Sequence, residues 1–591
     1  MKRLYVVMLI FVSLVSFHCQ KEVSYAGLPV DKNGVSADPV TATLQGNVVD
    51  ENNVPATGVL IKVGNKTILT DERGYFRIIH ASLDKTASVV IAEKTGYFKA
   101  YRTFQASDAA NNIKIRLTKR EAVGTISAGG GEVVLSNGAK IALPAGGVMK
   151  AAGGAYEGDV KVFAAFIDPT SAEIGTTMPG SFMADDASGK RVMLASFGML
   201  AVELESPSGE KLQVATDKEA ILTFPIPASL QQAAPASISL WYVDEKTGIW
   251  KEEGKATRNG NNFTGTVKHF SFWNCDISVP MVSLSFTLQN EKGLPFVHTS
   301  VRLKAFVNGG PSISYGFTDS LGKINGMVPA GQALTMEVLN DQCNQPVYTK
   351  TIGPFTASTD LGKITVTSVT NSIVMVTGKL VNCNGAAVTN GSALISFQNT
   401  SAYVSTDQNG VFSYVYVKCD DNPQTISVLG IDNETVQQGS SNNFSVTSST
   451  LNTGTLNACG VSAAQFVSYK VDGTDYMIAN SVADSLVAYS YAQQQPAGFV
   501  TFISGSNYAA GKIINVSFDH TKMEAGTYPV KALYLNQFGS VVPESSAKVV
   551  VTSYPQTSGQ FIEGSFSGQF RDSLAQDPLH TFSGSFRIRK Y

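Results

Sequence analysis

The sequence predicts an all-β chain of tandem β-sandwich domains with little helix, and three observations carry that expectation. Gly, Ser, Thr, Asn and Val are abundant while long Ala/Glu/Lys/Leu stretches are missing, a composition that favours strands and turns over helices. Segments that alternate apolar and polar residues recur between Gly/Pro corners. One corner motif appears three times at wide intervals, the mark of a repeated supersecondary unit.

The 591 residues suffice for about four domains at roughly 150 residues each, with all-β modules free to be smaller. With 43% hydrophobic and 16% charged residues, the composition is that of a globular chain, since disordered chains carry more charge and fewer aliphatics. Forty-five basic against 47 acidic residues give a net charge of -2. Such a balance provides no global field for a phosphate backbone or an anionic membrane surface, so no nucleic acid is expected as a partner.

At the N-terminus, Lys2 and Arg3 precede a 14-residue apolar run from Leu4 to Phe17. That run is too short for a stable bilayer span and right for a secretory signal. Residues 1–18 are therefore read as a signal peptide, and 19–39 as a linker. Cys19 stands where a lipoprotein signal would place its acylated cysteine. The run Leu14-Val15-Ser16-Phe17-His18-Cys19 resembles a relaxed lipobox of the Bacteroidetes type, with His18 where a small residue is usual. The resemblance implies a lipidated Cys19 and a membrane partner, hence a cell-envelope, outer-membrane location. An alternative is cleavage after Ser24-Tyr25-Ala26 and a soluble secreted protein.

The repeated corner is Thr70-Asp71-Glu72-Arg73-Gly74-Tyr75-Phe76, then Thr318-Asp319-Ser320-Leu321-Gly322-Lys323-Ile324, then Thr406-Asp407-Gln408-Asn409-Gly410-Val411-Phe412. Asp can accept backbone hydrogen bonds from residues further on, Gly supplies a positive φ, and the apolar residue returns the chain to a core. Calcium ligation by Asp71, Asp319 and Asp407 is the rival reading, but no Asp-x-Asp-x-Asp cluster accompanies them. Upstream of each corner lies a strand, a turn and another strand: Gly46 to Asp50 with Pro55, Phe286 to Asn290 with Gly293 and Pro295, and Gly378 to Asn382 with Gly385.

This double signature resembles the carboxypeptidase regulatory-like domain, a transthyretin-like, Ig-like β-sandwich of about seven strands. It spans 40–118, 280–367 and 371–459, and the middle copy is degenerate, with Ile324 and Asn325 in place of the aromatic continuation. The resemblance implies a structural or interaction role, because that domain accompanies peptidases, transporters and surface proteins without cleaving anything itself.

Residues 120–278 form a different unit, a sandwich pair or composite holding Trp241, Trp250 and Trp273. Gly129 to Leu135 and Ala139 to Gly146 read as two alternating strands ended by a Pro/Gly corner. Together with the ending His269-Phe270-Ser271-Phe272-Trp273, the order resembles the sandwich of netrin receptors and ankyrins followed by a segment of cartilage intermediate layer protein. It implies adhesion, scaffolding or matrix roles. Residues 460–591 form a last β domain, in which Gly564 to Phe570 and Phe582 to Ile588 repeat one alternating pattern consistent with adjacent strands carrying Phe on one face.

Chemistry is sparse. The nearest histidines beyond His18, His269 and His298, are 29 residues apart, and His-Glu-x-x-His, Gly-x-Ser-x-Gly and Gly-Lys-Ser/Thr motifs are missing. No metal or cofactor is expected. In an oxidising compartment, at least one disulfide is expected among Cys383, Cys419 and Cys459, which fall within one module; the pairing stays open. Trp241, Trp250 and Trp273 are the candidate aromatic contacts for a glycan, with core packing as the alternative. His269 is read as a strand histidine closing a polar contact. The expected function is that of a non-catalytic envelope lipoprotein that binds, adheres or scaffolds through its sandwiches, engaging an envelope protein or glycan. The alternatives are a carbohydrate-capture accessory of an outer-membrane uptake system and a cryptic hydrolase, the latter requiring His, a carboxylate and Ser or Cys to converge in a pocket.

Overall fold

The computed structural model describes residues 38–590 apart from 65, 72, 341–342, 368–371, 398–399, 420–421, 480–483, 495–496, 508–509, 557–559 and 573–576. The signal peptide, Cys19 and nearly all of the linker lie outside the described residues. Within them the chain is all-β, helix being confined to Ile174–Thr177 and a 3-10 turn at Ala228–Leu230. No described helix is long and apolar enough to cross a membrane.

The three corner-bearing modules share one topology. In the first, Pro39–Val49 is the middle strand of a three-stranded sheet, antiparallel to Tyr75–Asp84 and parallel to Asn111–Arg116. A four-stranded sheet of Lys66–Leu69, Leu60–Val63, Ser88–Glu93 and Ala100–Phe104 covers it. The second repeats the pattern around Met281–Gln289, flanked by Lys323–Pro329 and the parallel Thr359–Thr365. The third does so around Ile373–Val381, flanked by Val411–Val417 and the parallel Thr450–Asn457. Although Ile324 replaces the aromatic in the second copy, it pairs with Phe286 of the middle strand, so the sheet keeps its register.

Each Thr-Asp corner closes in the same way. Thr70, Thr318 and Thr406 donate their hydroxyls to the carbonyls of Ala56 (2.6 Å), Phe296 (2.5 Å) and Val388 (2.8 Å). Each hydroxyl also accepts a backbone N–H, from Val59, Thr299 and Gly391. The carboxylates of Asp71, Asp319 and Asp407 each accept the N–H groups two and four residues on, at 2.8–3.0 Å. Gly74, Gly322 and Gly410 have φ near +70°. There a Cβ would meet the carbonyl oxygens of Val48, Leu288 and Leu380 at 2.2, 2.8 and 2.7 Å, which requires glycine on two counts.

Thirteen strands from Ala122–Ile126 to Phe272–Val279 form the central unit around one branched sheet. Its spine, Arg191–Glu205, is buried on both faces along almost its whole length. One face packs a core containing Leu200, Leu240, Phe263 and Trp273, the other a core containing Met193, Met199, Trp241 and Trp250. A sheet covered on both sides reads as a continuous apolar run, and the spine does. The last domain is a ten-stranded sheet from Phe466–Val471 to His580–Arg589. Phe566, Phe582 and Phe586 share its core, with the two Phe-bearing strands adjacent and antiparallel.

The domains are not beads on a string. Phe98 and Tyr101 of the first module enter the core of the central unit. Val487 and Tyr489 of the last domain enter the core of the first module. Val415 and Val417 of the third module enter the core of the second, where Phe296 also bridges Val415. The first module also touches the third: the Arg73 guanidinium donates to the Ser401 hydroxyl at 3.2 Å, and Arg77 lies 4.0 Å over the Tyr403 ring.

Candidate functional site

The aromatic candidates sit in the interior. Trp241, Trp250 and Trp273 are fully buried, and their indole N–H groups donate to the carbonyls of Asp276 (3.1 Å), Pro179 (3.1 Å) and His269 (3.0 Å). The expectation of glycan contacts is corrected: the tryptophans are core residues with satisfied donors, and none offers a ring face to solvent. Both faces of their sheet are covered, so alternation placed neighbours such as Leu240 and Trp241 in two different cores instead of one core and water.

The cysteines pair across a longer range than one module. Cys383 is joined to Cys459, Cα atoms 5.6 Å apart, tying the turn after the middle strand of the third module to its last strand. Cys419, grouped by sequence with those two, is joined instead to Cys343 of the second module at a Cα separation of 5.7 Å. Cys343 had no local signal to identify it. Cys275 is free and fully buried, and burial raises its thiol well above the ordinary value, which leaves it inert as a nucleophile.

His269, His520 and His298 pack within the fold. The His269 ring meets Tyr242 edge-on and Trp273 at a tilt, with ring centroids at 4.7 and 5.0 Å. Burial lowers its pKa against the opposing pull of Glu253. His520 comes nearest to a nucleophile–base grouping: its Nε2 lies 2.6 Å from the Thr501 hydroxyl, which contacts Ser490 (2.6 Å) and Tyr554 (3.1 Å). The Lys522 carbonyl, 2.8 Å from Nδ1, fixes the proton there and leaves Nε2 as acceptor. Ser490 and Thr501 are fully buried, so the chain of hydroxyls locks strands together without reaching a substrate. His298, at φ +50°, meets Gln45 of the first module at 3.1 Å. Burial brings its pKa down to about 4.

Beside the two cores of the central unit lies a buried polar cluster. The Ser196 hydroxyl donates to the Asn274 side-chain oxygen Oδ1 at 2.7 Å, and the Asn274 side-chain amide Nδ2 donates to the Asp276 carboxylate at 2.5 Å. Asp276 is fully buried, and desolvation raises its pKa well above the carboxylate range.

The most site-like space is a cleft of about 100 Å³ where the first module, the central unit and the second module meet. Arg102, on the strand Ala100–Phe104, is 5% exposed. It donates to the carbonyl oxygens of Gly175 and Tyr315, the latter at 2.6 Å, with the Tyr315 ring 5.7 Å from its guanidinium carbon. No acidic side chain pairs with it among the described residues. Burial lowers its pKa to about 10, so it stays charged at neutral pH. Met178, Met183, Met193, Ile313 and Met327 form the apolar wall. Gln105 also lines the cleft, its amide donating only to the Met327 sulfur at 3.5 Å and its carbonyl oxygen buried with no hydrogen-bond partner. The adjoining recess holds Lys114, Arg116 and Glu173.

This geometry defines an all-β chain of interlocked sandwiches. No protein-family model matches it. Over 126 residues, 21% of this chain, it is 29% identical to cartilage intermediate layer protein 2 of Homo sapiens, and over 122 residues 29% identical to that of Mus musculus. The chain covers 10% of either relative's length. Among solved structures, the shaft pilin SpaA of Lactobacillus rhamnosus GG is 10% identical, matched over 30% of this chain and 96% of that one, with a TM-score of 0.15. The major pilin subunit BcpA of Bacillus cereus is also 10% identical, over 71% and 99%, with a TM-score of 0.12. These scores are too low to carry a likeness in overall arrangement.

Proposed function

We propose that the chain is a non-catalytic cell-envelope lipoprotein of the Bacteroidetes type, anchored by an acylated Cys19 and working as an adhesive or scaffolding block. One observation carries the reading: three copies of a single sandwich are fused to one another and to two further domains through shared cores, with a disulfide across one boundary. Such construction multiplies stiff surface and loop ends, where binding residues on β-sandwiches concentrate. Disulfides also fit an oxidising compartment outside the cytoplasm. The partial identity to cartilage intermediate layer protein 2 is compatible with a structural role. Capture of sugars by the tryptophans is no part of this reading, since those rings are buried.

Fractionation tests it. Wild type is expected in the detergent phase of a membrane extract and a Cys19→Ala variant in the aqueous phase, because several acyl chains anchor effectively irreversibly at about 0.8 kcal/mol per buried CH₂. Unchanged partitioning of the variant would remove the anchor from the proposal.

A further inference from the structure

We propose that the cleft beside Arg102 binds a small organic acid, a carboxylate on a short apolar body, with Arg102 and Gln105 holding the carboxylate and the methionine wall holding the hydrocarbon. A buried guanidinium without a carboxylate partner is costly, because carbonyl dipoles offset only part of its lost hydration. Two carbonyls take two of the five N–H groups of Arg102, and neither supplies a counter-charge. An incoming carboxylate would supply it, through charge-assisted hydrogen bonds in a dry setting where they are strongest.

Gln105 is an independent pointer. Gln105 lines the same cleft, and a primary amide whose oxygen is buried without a partner and whose nitrogen meets only a thioether has unspent hydrogen-bonding capacity at its wall. Rotated about its last torsion, it would donate to the second carboxylate oxygen. Lys114 and Arg116 outnumber Glu173 in the neighbouring recess, a net positive charge that favours an anion over a neutral ligand.

Size and lining set the rest of the ligand. The cleft of about 100 Å³ is smaller than the roughly 150 Å³ cavity that encloses a benzene ring, so the enclosed body is short. Met178, Met183, Met193 and Met327 are unbranched, polarisable side chains that adapt to an aliphatic chain. An apolar wall with a few convergent polar groups is the usual make-up of a small-molecule site.

The test is calorimetric titration of the folded full-length protein with butanoate and, separately, with butanamide, which has the same shape and no charge. Butanoate is expected to bind at least about tenfold more tightly, the ratio that follows from losing a charged hydrogen-bond partner. Equal binding of the two, or no butanoate binding at millimolar concentration, overturns the proposal. Arg102→Gln should abolish the preference. Because that residue is buried and its loss can unfold the junction, Met327→Trp provides a second arm, filling the cleft from a half-buried position. Butanoate binding that survives in folded Met327→Trp protein places the ligand elsewhere and sinks the assignment.

Discussion

Cys343 and Cys419 face each other across the boundary between the second and third modules, their Cα atoms 5.7 Å apart, and a disulfide joins them. The same boundary is sealed by Val415 and Val417, which lie in the core of the second module. A covalent tie and a shared core thus act on one joint.

The first prediction concerns that tie. With its cysteines 76 positions apart in sequence, the loop-entropy model gives the bridge up to about 4 kcal/mol. Cys343→Ser/Cys419→Ser protein should melt at a clearly lower temperature than wild type. A non-reduced peptide map should show the pairs 343–419 and 383–459. A map with Cys383 bound to Cys419 would contradict the arrangement.

A second prediction separates two glycines of the third module that both hold positive φ. Gly410→Ala should cost about 2 kcal/mol, combining left-handed strain with a Cβ driven to 2.7 Å from the Leu380 carbonyl oxygen. Gly385→Ala, at φ +78° with open space around its Cβ, should cost about 1 kcal/mol. Chemical denaturation of the two variants measures both, and equal losses would refute the close-contact account.

The third concerns pH. Asp276 has a folded-state pKa raised above its unfolded value by burial. Its protonated form therefore supports the fold below about pH 4, and that support is lost as pH rises toward the folded value. Asp276→Asn removes the titration, so the melting temperature of the variant minus that of wild type should be more positive at pH 8 than at pH 4.5. A difference that does not change with pH would mean that Asp276 ionises freely in the folded protein.

The hairpin corners were legible because they are local. Thr70, Asp71 and Gly74 do their work within a few residues of one another or against the neighbouring turn, and three recurrences of that spacing announce it. The all-β class follows from the same residues. Which rings are buried was not legible for Trp241 and Trp250, because a two-sided sheet erases the polar phase of the alternation that would separate inside from outside. Distant pairings left no trace either: Cys343 carries no motif, and Arg102 reads as an ordinary strand arginine until Gly175 and Tyr315 are brought to it from two other units.

The dependence of the first module on the last domain has a consequence during biogenesis. Ile68 and Phe76 belong to the core that Val487 and Tyr489 complete, so part of this sandwich stays uncovered until a segment about 400 residues further along the chain has been made. An unfinished apolar face of this kind is sticky while it waits. Chains stalled or truncated ahead of Val487 should accordingly be the ones that most need a holdase chaperone.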